Sequence, residues 1–259
     1  MKLGGAARLV SRGDVLWFRA PALGFHSDVE HGVTHASLGN FSLTQAIDAR
    51  EVEERRARLL EAAGLGDATL FAPPLHHSAN VGRVAGGRIV DAGGHASDGR
   101  RDALVSNEPG TVLAVTVADC VPVFFVDVVE VAFGVAHAGW RGIFGGIVRR
   151  TVDAMMDEFG TKPGNLLVGA GPAIRGPSYE VGPEVAGLFP EPFTVPVGDP
   201  AEGRAQVDLP SCALADAAGA GVPKDNLVDF SPCTYEHAGD LFSHRRGDRE
   251  RHWAFIGRS

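Results

Sequence analysis

Three nearly continuous apolar runs, rich in β-branched residues, lie in the middle of the chain. They cover residues 111–117, 121–126 and 131–137. Strands buried on both faces have this pattern, so the runs predict the central sheet of the fold. Shorter apolar segments predict further strands at residues 69–71, 80–84, 166–170, 206–209, 226–230 and 253–256.

Two longer segments have helical periodicity. Residues 50–63 predict a charged helix that ends at Gly64, with Val52, Leu59 and Leu60 facing the core. Residues 143–159 predict an amphipathic helix that ends at Gly160. Its apolar face would carry Phe144, Val148, Thr151, Met155 and Phe159.

A third, short helix is predicted at residues 210–220, and no repeat or flexible linker interrupts the chain. The expected class is therefore α+β, with one domain over residues 1–259 built as a layered sandwich around a central mixed sheet.

Composition narrows the classes of function. The 259 residues are 44% hydrophobic and carry a net charge of −8, which argues against nucleic acid as a partner and favours a small-molecule substrate. No apolar run approaches the ~20 residues that a membrane span requires, and the N-terminus does not resemble a signal peptide. A cytoplasmic protein is expected. Three cysteines without a CxxC pair predict neither a disulfide framework nor a zinc ribbon.

Candidate chemistry lies at the ends of the central runs. Cys120 precedes the second run and His137 ends the third, so a thiolate and an imidazole could either hold a soft metal ion or act as nucleophile and base. His76 and His77 offer a third ligand, and one of them would face the cleft, because neighbouring strand residues point to opposite faces. Two histidines and one cysteine with an open fourth position are typical of catalytic zinc.

Four motifs carry a resemblance to a known family. "VADCVPV", "HAGWRG", "GPAIRGPSYEVGPEV" and "FSHRR" resemble the laccase-domain family, also called the multicopper polyphenol oxidases or the purine nucleoside phosphorylases of the YfiH/YlmD type. The resemblance implies a single-domain α/β sandwich, similar to cysteine hydrolases of the cytotoxic necrotizing factor type. It also implies a metal held by His77, Cys120 and His137.

His77 is preferred to His76 because "HSANV" resembles the family's "HGADV", with Val81 in register. Leu75 and Ser78 depart from the family's Gln and Gly, and His76 remains the alternative ligand. The metal would be Zn²⁺, with Cu²⁺ as an alternative.

The resemblance also implies catalytic residues beyond the metal ligands. Asn40 and Arg56 match the family's N-terminal Asn and Arg and would act together with Cys120 and His137. Tyr179 and Glu180 are interpreted as a structural turn of the family pattern. Three arginines are candidates for a substrate-binding anion pocket: Arg141, Arg245 and Arg246.

The implied function is a zinc-dependent purine nucleoside enzyme, a monomer or homodimer. It would carry out phosphorolysis of adenosine, inosine or methylthioadenosine, with phosphate as co-substrate, and deamination of adenosine. One alternative is a Cys-His hydrolase, an amidase that edits peptidoglycan precursors. A copper-dependent polyphenol oxidase is disfavoured, because the ten histidines include no His-x-His pair. A binding protein without enzyme activity is the last alternative.

Overall fold

A computed structural model describes residues 7–24, 28–92 and 99–259. Within them lie sixteen strands and five α-helices, together with short 3₁₀ turns. The strands are β1 (Arg8–Arg12), β2 (Val15–Arg19), β3 (Val29–Thr34), β4 (Thr69–Phe71), β5 (Val81–Ala85), β6 (Arg88–Asp91), β7 (Ala103–Ser106), β8 (Thr111–Val117), β9 (Val121–Asp127), β10 (Phe133–Ala138), β11 (Leu166–Ala170), β12 (Glu180–Val181), β13 (Thr194–Pro196), β14 (Ala205–Val207), β15 (Leu227–Asp229) and β16 (His252–Arg258). The helices are α1 (Ala49–Ala63), α2 (Trp140–Phe144), α3 (Ile147–Phe159), α4 (Pro183–Ala186) and α5 (Leu209–Gly219).

The strands form two large sheets and one small one. A six-stranded sheet has the order β1-β2-β3-β16-β8-β4, and a seven-stranded sheet has the order β15-β11-β9-β10-β7-β5-β6. The seven-stranded sheet is mixed, since β9 pairs antiparallel with β10 while β11 pairs parallel with β15. Strands β12, β14 and β13 form the small sheet.

Three apolar clusters show how the layers stack. One cluster lies between the two large sheets, where Phe124 and Val126 of β9 meet Leu113 and Val115 of β8. The next residue of β9, Phe125, belongs to the cluster formed with α3 and α5 on the other face of the seven-stranded sheet. Helix α1 covers the outer face of the six-stranded sheet. The expected layered α+β class, with a mixed sheet buried on both faces, is thus confirmed.

One expectation about the central sheet is wrong. The runs at 121–126 and 131–137 become neighbouring strands, β9 and β10, but the run at 111–117 becomes β8 of the six-stranded sheet, where it pairs with β16. The chain changes sheets between Val117 and Val121, with Asp119 in the left-handed region at φ 85°. A continuous apolar run indicates that a strand is buried on both faces, but it does not identify the strand with which it pairs. The sequence could therefore not reveal this crossover.

The helix predicted at 143–159 is interrupted. Helix α2 already begins at Trp140, and α3 begins at Ile147 after Gly146, whose φ of 77° ends helical geometry. Phe144 therefore leaves the apolar face on which it was expected and is 59% exposed.

The helix predicted at 50–63 is confirmed as α1. The Asp48 side chain accepts a hydrogen bond from Arg50 N at its start, and Gly64 ends it in the left-handed conformation. The segment predicted as a strand at 206–209 ends instead at Val207, because Asp208 caps α5. None of the helices in the described ranges is long and apolar enough to cross a membrane.

Candidate metal centre

Three side chains meet where the chain crosses from the six-stranded to the seven-stranded sheet. Cys120 lies in the crossover just before β9, and His137 lies in β10 opposite Pro122 of β9. His77 lies in the loop before β5, with a left-handed backbone at φ 56°. His137 is buried, Cys120 half-buried and His77 exposed, so the group opens toward solvent on one side.

The donor atoms of these three residues are close enough to share an ion. They all lie within 4.8 Å of one another, and Cys120 Sγ lies 4.0 Å from His77 Nε2. A tetrahedral zinc ion, with bonds of about 2.0–2.3 Å, would hold its ligand atoms roughly 3.5 Å apart. Small movements of the three side chains would bring their donor atoms to this spacing. Within residues 7–24, 28–92 and 99–259, no other group of three or more such side chains has metal-binding spacing.

Gly139 keeps space for the group. A Cβ at this position would lie 2.9 Å from His77 Cδ2 and 3.0 Å from Cys120 Sγ, which is closer than side-chain contacts tolerate. A larger residue than the glycine of "HAGWRG" would therefore displace the side chains of two candidate ligands.

The buried carboxylate of Asp102 connects the two histidines. Its Oδ1 lies 2.9 Å from His137 Nδ1 and accepts a hydrogen bond of 2.9 Å from His77 N. The other oxygen accepts from the backbone N–H and the hydroxyl of Ser78. These bonds stabilise the His77 loop in its left-handed conformation.

Charges around the group favour a Cys120 thiolate. Burial alone would raise the pKa of the Cys120 thiol, but the charge of His137 and hydrogen bonds from both histidines hold that pKa below its usual range. Burial likewise opposes charge on His137, yet the Cys120 thiolate and the Asp102 carboxylate raise its pKa above the ordinary value. The thiolate is the form that binds a metal or attacks a carbon atom.

A cavity of about 290 Å³ is lined by two of the three candidate ligands, His77 and Cys120. Arg141 lies over the Trp140 ring at 4.1 Å, and Arg245 lies over the Tyr179 ring at 4.9 Å. All four of these residues line the cavity together with His77 and Cys120. Burial, followed by the negative charge of Cys120, raises the pKa of Tyr179 to about 12, so its hydroxyl keeps its proton at neutral pH.

Arg245 is positioned by its own backbone. Its N–H donates a hydrogen bond of 2.7 Å to Asp119 Oδ2, while the hydroxyl of Thr234 donates to Asp119 Oδ1 at 2.6 Å. The residue that precedes Cys120 thus links the Arg245 loop of the cavity wall to Thr234.

Besides the buried His137, three of the residues expected at the site do not line this cavity. Arg246 donates to the carbonyl oxygens of Thr234, Tyr235 and Leu241 and pairs with Asp248, so its guanidinium is used in holding its own loop. It is therefore not placed to bind substrate there.

Asn40 and Arg56, expected to be catalytic, likewise use their side chains in contacts with other residues of the protein. The Asn40 amide accepts from Ser42 N and Arg251 N, and Arg56 donates to Phe41 O and lies 5.1 Å from the Trp253 ring centroid. Both stabilise the segment between β3 and α1, which is a structural task. The motif match gave their positions in sequence but not these buried partners.

Sequence reasoning missed Asp102, and it assigned Tyr179 to a structural turn only. Asp102 lies 25 residues after His77, directly before a short strand with no local pattern, so nothing near it marks its role. For Asp119, the available signal of a role at the site was its position directly before Cys120 in "VADCVPV". His76, the alternative ligand, has an exposed side chain, and its backbone N–H donates to Asp102.

Comparisons with known proteins find relatives of similar sequence and fold. The family model described as multi-copper polyphenol oxidoreductase laccase matches residues 26–259. A purine nucleoside phosphorylase of Deinococcus radiodurans is 38% identical over 217 residues, which cover 81% of this chain and 78% of that protein. Adenosine deaminase RL5, from an unknown prokaryotic organism, is 36% identical over 149 residues, 56% of each chain. The crystal structure of YlmD from Geobacillus stearothermophilus has a TM-score of 0.83 and 29% identity, covering 98% of this chain and 99% of that one.

Proposed function

The chain belongs to the multi-copper polyphenol oxidoreductase laccase family, and on that premise we propose that it is a zinc-dependent purine nucleoside enzyme. Its reactions would be phosphorolysis of adenosine, inosine or methylthioadenosine and deamination of adenosine. Relatives named purine nucleoside phosphorylase and adenosine deaminase support the two reaction types.

One arrangement supports this function above all others. His77 and Cys120 lie at the wall of a cavity that also presents two arginines, and the buried His137 completes the group behind them. The cavity volume, about 290 Å³, is near the lower end of the range for small-molecule sites, roughly 300–1,000 Å³. A small polar substrate with an anionic co-substrate fits such a site.

His77, Cys120 and His137 would hold the zinc ion. Their donors, two imidazole nitrogens and one thiolate, are ligands that zinc prefers, and three protein ligands leave one position open. Bound zinc supplies a Lewis acid at the mouth of the cavity.

In phosphorolysis a phosphate oxygen forms a bond to C1′ of the ribose while the C1′–N9 bond breaks, and the purine leaves with the bonding electrons and takes up a proton. Arg141 and Arg245 would hold and orient the phosphate, because the guanidinium presents paired N–H donors and is always charged. The protonated Tyr179 hydroxyl can donate a hydrogen bond to the substrate. In deamination water adds at C6 of adenine and ammonia leaves from the same carbon.

A Cys-His hydrolase is the second candidate, because the same residues also make a nucleophile and a base. Asp102 orients His137, whose charge lowers the pKa of the Cys120 thiol. The thiolate would attack an amide carbonyl carbon, His137 would protonate the departing amine, and water would hydrolyse the thioester. Amide-linked peptidoglycan precursors are the substrates to test.

Copper at the same three ligands is a further question of metal identity, since two histidines and one cysteine also suit copper. A cluster of several coppers would need more ligands than the described residues bring together. Metal analysis of the purified protein distinguishes zinc from copper.

The decisive experiment combines metal content with product analysis. The protein is purified without added metal, zinc and copper are quantified, and adenosine is assayed with and without phosphate. We expect about one zinc per chain, adenine formed only with phosphate, and inosine formed without it. Cys120→Ala should lose both the zinc and the activities, whereas Cys212→Ala, which removes a buried cysteine of α5, should keep them.

Two results would contradict the purine nucleoside reaction. One is a zinc-loaded protein that releases neither adenine nor inosine. The other is a metal-free protein whose Cys120 is rapidly alkylated and which hydrolyses an amide-linked muramyl precursor, a result that would establish the hydrolase instead.

A further inference from the structure

The carboxylate of Asp102 is completely buried and lies between two of the candidate ligands. Its side chain accepts hydrogen bonds from the backbone N–H groups of His76, His77 and Ser78 and from the Ser78 hydroxyl, and it contacts His137 Nδ1. Its backbone carbonyl also accepts a hydrogen bond of 2.7 Å from His137 N. The residue directly before β7 thus fixes both the backbone and the ring of His137.

This contact determines which nitrogen of His137 can bind a metal. An ionised carboxylate only accepts hydrogen bonds, so the Nδ1 atom that faces it must carry a proton. The lone pair of the neutral ring is then on Nε2, the atom left to the group formed with Cys120 and His77. An imidazole held by a carboxylate in this way is also a stronger ligand.

The same carboxylate controls His77 by a different route. His77 has a φ of 56°, which is unfavourable for a residue with a side chain. Three consecutive N–H groups, those of His76, His77 and Ser78, point at Asp102 and stabilise this backbone. The direction of the His77 side chain therefore depends on a charge 25 residues further along the chain, at the start of β7.

We propose that Asp102 is a positioning residue for the metal, one that fixes the Nδ1-protonated form of His137 and the loop of His77 in a single arrangement. It does not touch substrate. This inference rests on the proposed metal site and adds to it the residue that couples two ligands from separate parts of the chain. Such carboxylate partners typically strengthen metal binding roughly ten- to a hundredfold.

Zinc affinity tests the proposal without any substrate. Zn²⁺ is titrated into the metal-free protein in competition with a chromogenic chelator, for the wild type and for Asp102→Asn. We expect the affinity of Asp102→Asn to fall roughly ten- to a hundredfold. Asp127→Asn is the matched control, because Asp127 is also fully buried and accepts backbone N–H groups of Val129 and Glu130, but at the opposite end of β9 from Cys120.

The outcomes are distinct. Equal zinc affinity in wild type and Asp102→Asn would overturn the role of Asp102 while leaving the zinc site intact. An equal loss in Asp102→Asn and Asp127→Asn would reduce that role to general stability. A wild type that binds no Zn²⁺ would overturn the metal site itself, and with it this inference.

A spectroscopic measurement keeps the proposal testable if Asp102→Asn does not fold. In the zinc-loaded wild type, long-range ¹H–¹⁵N spectra should show His137 protonated at Nδ1 and unprotonated at Nε2. Protonation at Nε2 instead would overturn the proposal. In a folded Asp102→Asn variant the Nδ1 proton signal should shift or disappear, a change that a loss of stability alone would not produce.

Discussion

At the scale of single residues, Asp119 connects the candidate ligand Cys120 with the arginine of the opposite cavity wall. Its carboxylate accepts hydrogen bonds from Thr234 Oγ1 and from the backbone N–H of Arg245, and the residue is 8% exposed. Its φ of 85° turns the chain from one sheet to the other just before the cysteine. One carboxylate therefore fixes the backbone of Arg245 relative to Cys120, while the Arg245 guanidinium donates to Glu180 O.

Asp119→Asn should weaken the binding of the anionic co-substrate. Asparagine tolerates the left-handed backbone, so the turn should persist, while hydrogen bonds to a charged acceptor, worth about 1.5–3 kcal/mol each, become weaker. We expect KM for phosphate in the phosphorolysis assay to rise by about tenfold or more, which corresponds to about 1.4 kcal/mol, with the zinc content unchanged.

Thr234→Val is the control for Asp119→Asn, since it removes the second hydrogen bond of the carboxylate and leaves the one from Arg245. It should lower stability with little change in KM. An unaltered KM for phosphate in Asp119→Asn would mean that Asp119 does not position Arg245 for substrate.

The residues of the candidate site differ in how far the sequence could reveal them. Cys120 and His137 end apolar runs, and this placement together with their motifs predicted that they would meet. Their hydrogen-bond partners could not be predicted in the same way, because Asp102 reaches His137 across a β-sheet pairing. For Arg56 a motif position suggested catalysis, while in the fold its guanidinium donates to Phe41 O.

At the scale of elements, the two glycines between α2 and α3 decide how the segment after His137 folds. Gly145 has ordinary helical angles, but Gly146 has a φ of 77° and a ψ of 31°. The 3.6-residue periodicity of the segment predicted one helix, because a hydrophobic pattern contains no information on the sign of φ. The break lets α2 carry Trp140 and Arg141 to the cavity while α3 packs along the seven-stranded sheet.

Gly146→Ala should therefore destabilise the protein, although alanine is the better helix former. A side chain in the left-handed conformation costs about 1–2 kcal/mol, and no neighbouring atom lies within 4 Å of the new Cβ, so backbone strain is the main effect. We expect chemical denaturation to show a free energy of unfolding lower by about 1 kcal/mol.

Gly164→Ala is the matched control for Gly146→Ala. Its Cβ would also meet no atom within 4 Å, and its φ lies outside the left-handed range. This substitution should be neutral or stabilising by up to about 1 kcal/mol. A Gly146→Ala variant as stable as Gly164→Ala would contradict the interrupted helix.

Some strands can be predicted from their apolar sequence pattern, and others form only because they pair with a neighbouring strand. Strands β8, β9 and β10 were predicted from continuous apolar runs, which report burial on both faces. Strand β1 was not predicted, since none of its five residues is buried and no apolar alternation marks it. It exists because it pairs along its whole length with β2, a contact that a local reading of the chain cannot supply.

At the scale of the whole molecule, the layered core encloses two histidines that take no part in the candidate site. His31 of β3 accepts a hydrogen bond from Ala20 N and packs edge-on against Phe124 and Phe230. His252 of β16 accepts from Phe242 N and stacks on the Phe242 ring. Burial, followed by nearby positive charge for His31, lowers the pKa of each histidine to about 3.

These two histidines predict a loss of stability in mild acid. The unfolded chain takes up a proton on each histidine as pH falls below about 6.5, whereas the folded protein resists protonation until about pH 3. The unfolded state therefore binds more protons in this window. As the pH falls, each histidine lowers the free energy of unfolding by about 1.4 kcal/mol per pH unit. Denaturant titrations at a series of pH values between 7 and 4 measure this slope.

His31→Gln separates the effect of the buried histidine from general acid sensitivity. The variant should be less stable than the wild type at pH 7, because the ring leaves its place among Phe124 and Phe230, but its stability should fall less steeply below pH 6.5. The pH dependence of the free energy of unfolding should differ between His31→Gln and the wild type by about one proton. His252→Gln should remove a second proton independently, since the two rings contact different aromatic neighbours. A slope in His31→Gln as steep as that of the wild type would mean that His31 takes up its proton as readily in the folded core as in the unfolded chain, which its apolar surroundings make unfavourable.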